Sequence, residues 1–577
     1  MTRGCDFLYK NREHTLTYEN LTEELDMVRQ VAQSFIETNI DTNLDDMETM
    51  SPGFMKQALQ QAGDLGLLGA AVPEDLGGSN IGFVASMIVA DAVGPGGSFA
   101  TAFGAQTGIA MLPILLYGTD AHREKYIPGL ASGKLVGCYC LTEPDAGSDA
   151  NSGKTKAELT DDGSHYVLNG QKMWITNGGF ADVYIVFAKI EDDKNLTCFI
   201  VDKGTPGLSV GEEEKKLGIK GSSTVQVYLE NCNIPATNML GQRQQGFKIA
   251  LNILNAGRIK LASSANGACK TTLENALVYA AERKQFGSTL DKFQGIQHKI
   301  AQMAQKTFCS DTATLACGDD IENREKNIAA AGGAGAYESK RRSLEEYAVE
   351  CALLKVIASE SLDYVIDEGL QIYGGMGYSA EAPMERAYRD ARITRIYEGT
   401  NEINRMAGAG MAIQNIQSNF GKTLSTIFKS ILSSIATFPK RIASANVTAA
   451  NIAGIRAVTL LLSVVCMLVY KKQIRSQQAI LMSIADLMSE LLTLTCLHAR
   501  VSAAEKDKNF MNNILVLQMA ESKSKVRASA SDIISCFPSM LIRAPLRILT
   551  FVCTAGPRVS RFKIMDKLGE KLVNESV

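Results

Sequence analysis

The 577-residue sequence holds a single tryptophan, Trp174, and only five histidines. His14, His122, His165, His298 and His498 stand far apart, with no HExxH and no Cys/His ligand spacing, which argues against a metal hydrolase. Thirteen cysteines are present, yet none forms a CxxC pair or a disulfide-like framework, so free thiols in a reducing compartment are expected. No long hydrophobic run is found either. Ala457–Tyr470, bounded by Arg456 and by Lys471 and Lys472, falls short of the roughly 20 apolar residues of a membrane-crossing helix and predicts a buried helix. The N-terminal residues lack a charged-then-apolar pattern and carry too many acids (Asp6, Glu13, Glu19, Glu23, Glu24) to read as a transit peptide.

What remains is a globular composition, 46% apolar and 21% charged, on a chain too long for one hydrophobic core. The net charge of −3 hides an asymmetry: residues 421–577 hold 21 Lys/Arg against 9 Asp/Glu, and the rest 38 against 53. The C-terminal part is therefore expected to meet an anionic surface or to cover an acidic face of its own protein.

Hydrophobic periodicity divides the chain into four zones and gives an α+β, mainly α, fold class. Residues 1–135 read as helices, such as Glu23–Asn39 and Phe54–Gly66, broken at Pro73–Gly78 and Gly94–Gly97. Over 136–240 the period falls to two, with strands at Lys154–Leu159, Tyr166–Leu168, Tyr184–Ala188, Cys198–Val201 and Val225–Leu229. Asp162-Gly163 and Asn169-Gly170 read there as turns, which predicts a small antiparallel β domain. Residues 241–410 return to long helices (Phe247–Arg283, Phe293–Ile321, Leu344–Ile372 and a run after Thr400) of four-helix-bundle length, with a Gly/Ala-rich break at Ala329–Ala336. Residues 411–577 form a further basic helical domain.

Four segments carry candidate chemistry. Tyr139–Ser148 offers hydroxyls, a glycine and backbone N–H groups to a phosphate or ring edge, though an ordinary strand ending in a Pro/Gly loop reads the same. Gln171–Gly178 contains Trp174, whose ring suits either a planar cofactor or core packing. Gln371–Tyr378 contains Gly374, Gly375 and Gly377, which allow close backbone approach or a plain helix cap; it is not a dinucleotide-binding GxGxxG. In Arg392–Arg405, Glu398 sits beside Ile396, Tyr397 and Gly399 before a helix that Thr400 or Asn401 can cap. A carboxylate in a dry pocket becomes a useful base, while local sequence alone favours a capping or surface glutamate.

Together with Glu282–Gly287, these segments resemble the acyl-CoA dehydrogenase family, in order, over about residues 20–410. The resemblance implies a helical N-terminal domain, a β domain and a four-helix bundle with non-covalent FAD between the last two. It places Tyr139, Leu141, Thr142, Gly147, Ser148, Trp174, Ile175, Thr176, Thr400 and Glu402 against FAD, and brings Arg283, Phe286, Gln371, Gly374 and Gly375 from a neighbouring subunit. Ser148, Asn255, Arg258 and Gly399 fall on the substrate side. Glu398 matches the catalytic base; the position some branches use instead is Gly257, which cannot take a proton. The implied reaction is α,β-dehydrogenation of an acyl-CoA, with electrons passed to an electron-transferring flavoprotein. An oxygen-using oxidase and an assembly protein on the same fold are the alternatives.

The extension after residue 411 resembles the very-long-chain branch, where such a domain is linked to dimers and membrane association, and Gly104 and Gly108 leave room for a long acyl tail. The tail residues Arg543, Arg547, Arg558, Arg561, Lys563 and Lys567, among Leu541, Ile542, Leu546, Ile548, Leu549 and Phe551, read equally as a membrane-surface helix or a solvated face. The resemblance implies a homodimer inside the cell, in a bacterial cytoplasm or a mitochondrial matrix, and a nucleic-acid role is not expected.

Overall fold

A computed structural model describes residues 4–443, 449–556 and 559–575. The N-terminal part is helical. Its helix Glu23–Phe35 begins where the Thr22 hydroxyl accepts a hydrogen bond from the Leu25 N–H, with Glu23, Glu24 and Asp26 complementing the first-turn dipole. Phe83–Val93 is buried along nearly its whole length, and Ser98–Gly104 and Met111–Tyr117 flank a wider turn at Ala105–Ala110.

The middle part is a sheet of β1 (Gly137–Cys140), β2 (Lys156–Leu159), β3 (His165–Thr176), β4 (Val183–Ile190), β5 (Thr197–Asp202), β6 (Leu208–Val210), β7 (Thr224–Pro235) and β8 (Met239–Leu240). Most pairings are antiparallel, as expected, while β1 and β2 both pair with β4 in parallel. The registers give the reason. Cys140 lies opposite Val186 and Lys156 opposite Lys189. Two short strands thus form one line along β4, and residues 141–155 bulge out between them. One correction concerns Asn169-Gly170, which is not a turn but an interior point of β3 at a register shift. A Cβ on Gly170 would lie 2.5–2.8 Å from Thr155, so glycine is needed there for close approach rather than for chain reversal.

The helices Gly246–Glu282, Gln294–Ala330, Ala348–Tyr373 and Asn401–Ser418 form the bundle, and the Gly/Ala-rich break leads into an extra helix, Ala336–Glu346. The first and third run side by side in the same direction: Gly369 meets Thr272, and further along Tyr373 stacks on Tyr279 at 4.0 Å.

The remaining helices, from Phe420–Ala436 to Arg561–Glu575, pack against the bundle. The apolar run after Arg456 proves to be part of a longer helix, Ala449–Tyr470, which passes through Arg456. That guanidinium is buried and donates to the carbonyls of Phe7 and Lys10 and to Asn11 Oδ1, so an N-terminal segment supplies the partners that a charge inside an apolar helix requires. By length and composition, Ser98–Tyr117, Ala449–Ser476 and Gln478–Ala503 could each cross a membrane, but most of each is buried within the protein. Part of the basic surplus faces the acidic core, as when Arg500 reaches Glu19 and the Thr312 hydroxyl. Arg558 lies outside the described residues.

Candidate active site

Glu398 sits in a turn rather than a helix, and both it (φ +57°) and Gly399 (φ +81°) adopt left-handed backbone conformations. Such strain at a non-glycine residue persists only where the surroundings hold it. Three side chains do so. Arg258 Nε donates to the Glu398 carbonyl at 3.2 Å. Lys355 Nζ donates to the Gly399 carbonyl at 2.8 Å. Asn404 Nδ2 lies 3.2, 2.7 and 3.1 Å from the carbonyls of Glu398, Gly399 and Thr400. The Thr400 hydroxyl then accepts from the Ile403 N–H and caps the helix Asn401–Ser418, with Glu402 exposed in its first turn.

The carboxyl group of Glu398 lies against the first long bundle helix. A Cβ placed on Gly257 would sit 3.1 Å from its carboxyl atoms, and Oε2 is sealed from solvent without a hydrogen-bond partner. Burial pushes its pKa up to about 7, against the pull of Arg258 and Lys355. Burial in turn pushes Lys355 down to about 7 and lowers Arg258.

The carboxyl group faces a cavity of about 440 Å³ that follows one face of the helix Gly246–Glu282, through Gly257, Leu261, Ala265, Ala268, Thr272 and Asn275. Ala90, Val93, Phe103, Gly104 and Gly108 form the opposite wall, and Thr176 and Tyr397 line the end near Glu398. A Cβ on Gly104 or Gly108 would meet nothing within 4 Å.

The sequence-predicted residues fall into three groups. Asn255, Arg258, Glu398, Gly399 and Thr400 come together; Asn255 Oδ1 accepts from Arg258 Nη1 at 3.2 Å. Tyr139, Leu141, Thr142, Gly147, Ser148, Trp174, Ile175 and Thr176 gather where the 141–155 excursion meets β3, joined by the Met173 N–H donating to the Thr142 carbonyl at 2.9 Å. Tyr139 approaches Glu398 closely enough for the carboxylate to add to the rise in its pKa that burial and Cys198 produce. Its hydroxyl is buried without a partner. Trp174 (φ +60°) stands at a register shift of β3 that turns its ring outward, 53% exposed. Gly147 and Ser148 are exposed.

Arg283, Phe286, Gln371, Gly374 and Gly375 form the third group, at the opposite end of the bundle. Arg283 follows the helix that carries Arg258, roughly 37 Å further along at 1.5 Å per residue. Phe286 is 95% exposed, and no atom lies within 4 Å of where a Cβ on Gly374 or Gly375 would project. Within one chain this group does not reach Glu398.

Several structuring residues were not singled out by the sequence, though Glu143 and Lys172 lie within its motif segments. Glu143 is buried, pairs with Lys172 at 2.7 Å, and accepts from the Lys154 and Thr155 N–H groups, fixing the path of the excursion. Lys355, the single cation in the run Ala352-Leu-Leu-Lys-Val356, was detectable only as a charge within an apolar helix.

Comparison with known proteins agrees with this architecture. Family models for the acyl-CoA dehydrogenase N-terminal, middle and C-terminal domains match residues 22–134, 138–232 and 244–412. A probable acyl-CoA dehydrogenase of Bacillus subtilis is 43% identical over 70% of this chain and 68% of its own. The mitochondrial very long-chain specific acyl-CoA dehydrogenase of Rattus norvegicus is 35% identical over 69% of this chain, and the match spans 60% of its length. A crystal structure of an acyl-CoA dehydrogenase complexed with FAD from Bacillus anthracis, 34% identical, superposes with a TM-score of 0.92 over 100% of this chain and 99% of that one, so its match extends through the C-terminal helices. The three domain models, matched in order over most of the chain, place it in the acyl-CoA dehydrogenase family.

Proposed function

We propose that this chain is an FAD-dependent dehydrogenase of long-chain acyl-CoA in which Glu398 removes the α-proton, yielding a trans-2-enoyl-CoA. One observation carries the reading: a carboxyl with a free, desolvated oxygen lining one end of an apolar cavity. A pKa near 7 makes the ionised form available at neutral pH while keeping it basic enough to take a carbon-bound proton. The hydrogen bonds that hold the left-handed turn at Glu398 and Gly399 keep the carboxyl over Gly257, in line with the precise placement that proton abstraction requires.

The surrounding residues fit FAD. Outward-turned Trp174, the orphaned Tyr139 hydroxyl and open space at Gly147, Gly374 and Gly375 suit a ring and a pyrophosphate. Tyr139, Leu141, Thr142, Ser148, Ile175, Thr176, Thr400 and Glu402 would hold it from one subunit. Arg283, Phe286, Gln371, Gly374 and Gly375 of a second copy would hold it from the other, as the family resemblance implies, and their distance from Glu398 within one chain is consistent with that. When bound, FAD supplies the two-electron acceptor for the β-hydrogen, and its electrons pass on to an electron-transferring flavoprotein.

The cavity supports a long acyl chain. From Gly257 to Asn275 it runs beside roughly 27 Å of helix. A saturated chain advancing about 1.2 Å per bond, as an extended backbone does, would fill it with roughly 20 carbons. The C-terminal helices add a candidate membrane contact: Leu424, Phe428, Leu432, Ile548 and Phe551 are exposed near Lys429 and Arg547. Anaerobic bleaching of the bound flavin by acyl-CoAs of increasing length tests the reading. Bleaching is expected to be fastest for long saturated chains, and absence of bleaching at every length would reject the assignment.

A further inference from the structure

The strained turn that carries Glu398 is held from behind by a lysine that has no assigned part in the chemistry. Lys355 is fully buried, on the helix Ala348–Tyr373. Its Nζ donates to the Gly399 carbonyl at 2.8 Å and to Asn401 Oδ1 at 2.8 Å, and so spans the left-handed turn and the first residue of the following helix. Both contacts are with the turn and the first helical residue that determine where the Glu398 carboxyl points.

Lys355 is itself fixed in place. Asn401 Nδ2 donates to Ser359 Oγ at 3.1 Å and to Glu360 Oε1 at 3.2 Å. Arg405 grips both oxygens of Glu360, at 2.7 and 2.9 Å, and its Nε reaches Asp486 of the C-terminal helices at 2.7 Å. A bidentate arginine–carboxylate pair is among the most geometrically defined contacts available to side chains. The turn is thus tied through Lys355, Asn401, Glu360 and Arg405 to the domain that follows the bundle.

From this geometry we infer that Lys355 is a positioning residue for the base, holding the Glu398–Gly399 turn so that the carboxyl stays over Gly257. The inference rests on Glu398 being the base. The charged groups that act on Lys355 are Glu398, Arg258, Glu402 and Glu360. Its positive charge also favours the ionised form of Glu398, so its loss would move the titration of the base upward as well as loosening the turn.

The test uses the full-length, flavin-loaded protein and follows flavin bleaching by a long-chain acyl-CoA across pH, with flavin content and Tm recorded beside it. Lys355→Met is expected to lower kcat by about 10- to 100-fold, the scale of a misplaced catalytic group, with KM changed by less than about twofold. The acidic limb of the kcat/KM profile should move up by about one pH unit. Lys355→Gln, which retains a donor for the Gly399 carbonyl but no charge, should recover much of kcat while keeping the shifted limb. A folded, flavin-loaded Lys355→Met protein with the native rate and limb overturns the inference. Failure of both variants to fold or to hold flavin assigns the lysine to the core and overturns it equally. A wild-type protein inert to every acyl-CoA would instead remove the dehydrogenase reading itself.

Discussion

At the scale of single residues, the site sets stability against chemistry. A glutamate whose pKa is raised from 4.5 to about 7 binds its proton more tightly in the folded state than in the unfolded chain. Folding is therefore favoured by low pH at this position, and that contribution is lost as pH rises from about 4.5 through about 7. The ionised, desolvated carboxylate is expected to destabilise the protein by about 1–3 kcal/mol above pH 7, taking 1.36 kcal/mol per unit and allowing for partial solvation. Glu398→Gln should raise Tm at pH 8 and leave it nearly unchanged at pH 5; equal shifts at both would contradict the burial argument. Glu398 was legible as the base through the family resemblance of Arg392–Arg405, since its local sequence alone favours a capping or surface glutamate. Its unusual backbone was not, since a left-handed glutamate depends on Arg258, Lys355 and Asn404, which come from elsewhere in the bundle.

At the scale of elements, the helix Gly246–Glu282 does two things: its start backs Glu398 through Gly257, and its length sets the depth of the cavity. The opposing wall is open at Gly104 and Gly108, so a larger side chain there should enter the cavity without displacing a neighbour. Gly108→Leu is expected to lower kcat/KM for long-chain acyl-CoAs by at least about tenfold, the loss of several buried methylene contacts at roughly 0.8 kcal/mol each, and to spare the shortest substrates. A uniform fall across chain lengths would show that the wall does not face the acyl chain. The long helices and the central strands could be read from periodicity. The parallel pairing of β1 and β2 along β4 could not, because strands 46 and 33 residues apart in register show no local pattern. The same holds for the excursion that this pairing forces, and for the Glu143–Lys172 pair that shapes it.

At the scale of the whole molecule, the residues that the proposal gives to one flavin lie at opposite ends of each bundle, so the proposed site would be shared by two subunits related by a two-fold axis. Subunits carrying Glu398→Gln and Arg283→Ala, each inactive alone, should complement on co-expression: a hybrid dimer has one site with both residues intact. Random pairing predicts recovery of about one quarter of wild-type activity, and no recovery would contradict a shared site. The C-terminal helices connect to the centre through Arg405 and Asp486 and to the N-terminal segment through Arg456, contacts so distant in sequence that only the charge asymmetry hinted at them. All of these features serve one desolvated carboxylate. Its role is tested most directly by anaerobic mixing of flavin-loaded Glu398→Gln protein with a long-chain acyl-CoA. Flavin content should match wild type while bleaching slows by at least about 10³-fold, equivalent to roughly 4 kcal/mol of lost transition-state stabilisation; bleaching at the wild-type rate would contradict the account.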